Sequence, residues 1–75
     1  MPLIHMRAYT GRDIENTKKA AMAMIKTASA EMNIPETAFT VIFEGVDRED
    51  WESKVTKPVI EPLKDKIIID HGKFV

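Results

Sequence analysis

Between Asp13 and Pro35 the sequence suits one long helix, and the segments on either side of it both read as β-strands. No other feature limits the chain so strongly. Residues 3–9 alternate, with Ile4, Met6 and Ala8 on one parity and Leu3, His5, Arg7 and Tyr9 on the other, the period of a strand. Thr10-Gly11-Arg12 breaks that pattern as a tight connection. Asp13 is a good N-cap, because its carboxylate accepts from the free N–H groups of the first turn, and Glu15 suits the positive end of the helix. Ile14, Ala21, Met22, Ile25, Ala28 and Met32 then recur at helical spacing. Asn33 suits the left-handed position that ends a helix, and Pro35 prevents continuation. Residues 37–44 are rich in β-branched and aromatic side chains and predict a second strand, with Phe39, Val41 and Phe43 on one face. Strand, helix, strand in this order predicts a right-handed βαβ crossover with two parallel strands.

Such a unit is incomplete by itself. Parallel sheets are covered on both faces, and one helix covers only one. The 75-residue chain has no cysteine for a disulfide framework, and chains this short bury a small share of their surface. Another copy of the chain is the simplest cover. The expected fold class is therefore α/β: a single domain, residues 1–75, built on one βαβ unit with a short C-terminal helical extension and completed by oligomerisation.

Composition removes several function classes. His5 and His71 cannot alone supply a metal site, and no thiolate is present, so no metal site is expected. Eleven basic residues against twelve acidic ones, interleaved along the chain, argue against a nucleic-acid partner. No apolar run reaches the roughly 20 residues of a membrane span, and MPLIHMRAYT lacks a basic-then-apolar leader. A soluble, cytoplasmic protein is the expectation.

The last third is less regular. Asp47 is placed to cap a short helix from Arg48 to Val55 that contains Trp51. Pro58 suits a helix start and Pro62 interrupts one, so residues 56–67 read as a kinked or broken helix. Residues 67–69 predict a short strand ended by the turn-like Asp70-His71-Gly72. The apolar tail is expected to dock on a second subunit.

Pro2 carries the most distinctive chemistry. Loss of Met1 would leave a secondary amine at the start of a strand. Partial burial and a nearby cation both disfavour its charged form, and a neutral amine near pH 7 is a competent general base. Pro2, the short strand, Gly11-Arg12-Asp13, the long helix ending near Pro35, the second strand and Trp51 together resemble the 4-oxalocrotonate tautomerase family over roughly residues 2–52. The resemblance implies a cofactor-independent isomerase that moves a proton between positions of a small enol, dienol or 2-oxo acid. It further implies Pro2 as the base, Arg12 as a carboxylate-binding or polarising residue, and Trp51 as an aromatic pocket wall. Arg48 is a second candidate cation for the far end of a substrate. His5 reads as an ordinary strand residue, Arg7 and Tyr9 as lining a pocket mouth or subunit contact, and Met22, Met24 and Met32 as core filler.

Two departures shift the expected substrate. Better-known hexameric members carry an arginine in the second strand, where this chain has Thr40. They also end in a glycine-rich hairpin, whereas Glu52-Ser53-Lys54 and the following Pro58…Pro62…Gly72-Lys73-Phe74 are similar to the dimeric, phenylpyruvate-type branch. A dimer is expected, with a hexamer as the alternative. Competing functions are dehalogenation or decarboxylation on the same scaffold, with Pro2 as an acid, and a non-catalytic oligomeric binding protein.

Overall fold

The computed structural model describes every residue from Met1 to Val75. Contacts group the chain into two compact units, Met1–Gly45 and Val46–Val75.

The first unit is built as strand, helix, strand: β1 (Leu3–Tyr9), α1 (Ile14–Met32) and β2, which begins at Thr40 and ends at Val46. The strands are parallel neighbours. Both ends of α1 are closed by the residues expected to close them. The Asp13 carboxylate accepts the Glu15 N–H at 3.0 Å, and Asn33 sits at φ 56° with its N–H on the Ser29 carbonyl, a left-handed cap. The Ser29 hydroxyl also donates to the carbonyl of Ile34. Gly11, at φ 96°, takes a conformation in the β1–α1 connection that a side chain would resist.

Three expectations need correction here. Residues 37–39 are not strand: Glu36–Ala38 form a single tight turn, with the Ala38 N–H on the Pro35 carbonyl at 3.0 Å, and β2 starts at Thr40. The fixed φ of Pro35 suits the lead-in to such a turn. At its other end β2 runs past Glu44. Gly45 leaves room for Thr10, whose Cγ2 would lie 3.2 Å from a β-carbon placed there. Finally, Ile14, Met22 and Met32 are exposed, while Thr17, Ala21, Met24, Ile25 and Ala28 are half-buried. A 19-residue helix is about 28 Å long and seven-residue strands are about 23 Å, so the helix ends overhang the sheet. Met22 falls to the side of the covered stripe, and of the three methionines named above only Met24 lies in it.

The second unit opens with a tight turn over Arg48–Asp50 and continues as a helix over Glu52–Ile60. That helix is wound more widely than an α-helix; at its end the Glu61 N–H reaches the carbonyl of Thr56 at 2.9 Å. Pro58 lies inside it. In an α-helix a proline leaves its preceding-turn carbonyl unpaired and clashes with it, and wider winding is one way to relieve both. The expected break falls around Pro62, before a last tight turn at Lys64–Lys66, whereas Pro58 lies inside the helix and not at its start. The chain ends in a hairpin that sequence patterning recognised only in part, β3 (Ile69–Asp70) antiparallel to β4 (Lys73–Phe74). His71 and Gly72 both have positive φ, 50° and 79°, the signature of a type I′ two-residue turn. The buried side chains are Val46 and Val55, 8% and 5% exposed. No helix is long and apolar enough to cross a membrane.

Candidate active site

Pro2 lies immediately before β1 and is half-buried. Its carbonyl accepts the N–H of Thr40 at 3.1 Å, so the first hydrogen bond between the parallel strands is made by residue 2 itself. Chain ends usually fray; this one is tied into the sheet. Met1 is 99% exposed, and its loss removes no packing. Thr40, the position at which the resemblance would have an arginine, is the residue held directly beside Pro2.

Arg12 is elsewhere. It is exposed and lies in the connection after β1, separated from Pro2 by the whole strand. Seven residues span about 23 Å, far beyond an arginine's reach. Within one copy, therefore, the Arg12 guanidinium does not stand beside the Pro2 nitrogen. Arg48 and Trp51 belong to the second unit. They open and close one tight turn, with the Trp51 N–H on the Arg48 carbonyl; Arg48 is exposed and Trp51 half-buried. Asp50 in the same turn accepts the Ser53 hydroxyl through its carbonyl at 3.2 Å and pairs with Lys54 at 3.5 Å through its carboxylate.

A polar cluster that the sequence reading did not assemble lies on the sheet face that α1 leaves open. There the Glu44 Oε1 accepts from His5 Nε2 and from Arg7 Nε, the latter at 3.2 Å. Hydrogen bonding from His5 first, then from Arg7, holds the Glu44 carboxyl below its ordinary range. His5 is thus more than a neutral strand position. The register that includes the Thr40 N–H to Pro2 carbonyl bond places the even residues of β2 against the odd residues of β1 and brings Glu44 to His5 and Arg7. Leu3, Tyr9 and Ile42, all exposed, share this face.

No group of His, Cys, Asp and Glu side chains is arranged to hold a metal ion. The first unit thus offers a proline anchored at the start of β1 and a cation after its far end, and the second unit, by itself, a cation and a half-buried indole. No protein-family model matches the chain, and neither does any curated protein or solved structure.

Proposed function

We propose that this chain is a cofactor-independent tautomerase of the cytoplasm, acting on a small 2-oxo or dienol acid as a homo-oligomer, most simply a dimer. The observation that carries the reading is the Pro2–Thr40 hydrogen bond. It fixes a terminal secondary amine at a half-buried position, as a proton-transfer base needs to be fixed. With Met1 removed, the Pro2 nitrogen takes a proton from the enol hydroxyl or from the carbon beside the carbonyl. It returns that proton to the other position, so the substrate changes only in where one hydrogen sits.

The length of β1 makes the assembly part of the chemistry. If Arg12 binds the substrate carboxylate through its paired N–H groups, the Arg12 that meets a given Pro2 must come from a neighbouring copy. Arg48 and Trp51 are proposed to bind the remainder of the substrate, as a cation and an apolar wall. Thr40 offers only a hydroxyl and a methyl group near the base, which favours substrates that need little polarisation of the carbonyl.

The test is turnover of phenylpyruvate enol and 2-hydroxymuconate by protein whose intact mass shows Met1 to be absent. Pro2→Ala is expected to lower turnover at least about a hundredfold, the usual scale of a general base, with an unchanged far-UV spectrum. Full activity in that variant, or in protein that keeps Met1, would end the reading.

A further inference from the structure

We infer that Phe39 is a specificity-determining residue beside the Pro2 amine, and that it selects 2-oxo acids whose reacting carbon carries an aromatic or other apolar group over diacids. The inference rests on the tautomerase reading above and names a residue and a substrate class for that same site.

Backbone pairing sets the placement. The Thr40 N–H on the Pro2 carbonyl puts Thr40 beside Leu3 and Phe39 beside Pro2, in strands whose separation is about 4.8 Å. The tight turn Glu36–Ala38 delivers Phe39 there, with the Phe39 N–H on the Glu36 carbonyl at 3.1 Å. Phe39 itself is extended, φ −87° and ψ 142°, and side chains along extended backbone alternate between faces. Phe39, Val41 and Phe43 are half-buried, whereas Thr40, Ile42 and Glu44 are exposed. Pro2 has the parity of Ile4, Met6 and Ala8, which are half-buried too. A phenyl ring and the pyrrolidine ring of the base therefore begin the same face of the sheet. Neither is fully buried, so both keep surface that a small molecule can reach.

Chemistry turns this placement into a preference. The Pro2 nitrogen exchanges a proton with a carbon of the substrate, and any group on that carbon is a single bond away. Such a group meets whatever flanks Pro2. From the neighbouring strand these flanking side chains are Phe39 and Thr40, both uncharged. A carboxylate set against the phenyl ring would lose hydration without gaining a charged partner from either. An apolar group buries area there instead, and a ring can pack offset or edge-to-face on Phe39.

Phe43 provides the comparison. It shares the face and the residue type but stands four residues further along, about 13 Å away, so it packs without flanking the base.

Steady-state kinetics on Met1-free protein, with phenylpyruvate enol and the diacid 2-hydroxymuconate as paired substrates, tests this. Phe39→Ala is expected to lower kcat/KM for phenylpyruvate enol at least about tenfold, mainly by raising KM, the scale of a lost apolar contact in a pocket. For 2-hydroxymuconate the change should stay below about threefold. Phe39→Tyr keeps the ring and should keep the preference. Phe39→Leu keeps apolar bulk and should fall between, and it carries the test if the Ala variant does not fold. Phe43→Leu should leave the ratio of the two substrates where it was, whatever it does to Tm. Equal losses on both substrates, or a ratio that moves as far in Phe43→Leu as in Phe39→Leu, would make Phe39 a packing residue and overturn the inference while the tautomerase reading stands. A preference of the unaltered chain for the diacid overturns it in the same way. Turnover that survives Pro2→Ala, or none of either substrate, overturns the tautomerase reading, and the assignment of Phe39 falls with it.

Discussion

Unit 1 has a 19-residue helix with a side-chain cap at one end and a left-handed residue at the other, yet none of its residues up to Gly45 is fully buried. Unit 2 has tight turns, a widely wound helix with a proline inside it, and a two-residue hairpin. It nevertheless carries both buried side chains, Val46 and Val55. Regular hydrogen bonding and burial are thus divided between the two regions. Order in the first comes from backbone pairing and end caps, which are each worth about 1 kcal/mol. Burial, the larger source of stability per residue, is concentrated in the second. A βαβ unit in the first condition is one that a partner surface would complete.

Substitution at Val55 strikes this contrast hardest. Val55→Ala removes two methyl groups from a buried position and is expected to cost about 1–3 kcal/mol, lowering Tm by about 5–15 °C for a chain of this length. Thermal melting followed by circular dichroism measures it. A loss no greater than that of a surface valine would mean that burial is not where the second unit gains its stability.

A smaller loss is expected from the other region. Asp13→Ala leaves the Glu15 N–H without its carboxylate acceptor and should cost about 1 kcal/mol, or about 4–8 °C in Tm. Asp13→Asn should restore most of it, because the amide oxygen still accepts. If Asp13→Ala melts with the parent chain, the first unit is held by something other than its caps, and the contrast drawn above fails.

The residues that cap and punctuate were the legible ones. Asp13, Asn33 and Pro35 act through local chemistry that needs no knowledge of the rest of the fold, and each acts as its type suggests. The alternation of β1 was equally plain, because its two parities differ in burial almost throughout. What could not be read was relative length and placement. That Ile14 and Met32 overhang depends on helix and strand lengths taken together, and a helical-spacing argument sees only the helix. Wide winding around Pro58 and the type I′ turn at His71-Gly72 are backbone adjustments that the same residues could have avoided in other surroundings. For the candidate site, Pro2 stood out for its chemistry. Its separation from Arg12 follows from the length of β1. The Glu44 cluster required the register of two strands nearly forty residues apart, which no local pattern contains.

That cluster offers the finest discrimination between the two regions, since it is a charged network spanning both strands of the first. Its carboxyl titrates below the ordinary range in the folded chain, through the hydrogen bonds from His5 and then Arg7. A depressed folded value means stability that is fully present above the unfolded value and lost as pH falls through the folded one. Glu44→Gln should therefore lower the urea midpoint slightly at about pH 7, and the difference should fade as the pH drops through the folded carboxyl's depressed value. The effect is small because the carboxylate is open to water, and it should shrink further in about 1 M salt, where exposed ion pairs are screened within roughly 3 Å. The comparison belongs at high dilution, where association adds nothing to the measured stability. Under those conditions an unchanged midpoint at neutral pH would show that the cluster contributes nothing to the lone chain, and that its significance, if any, begins only when two copies meet.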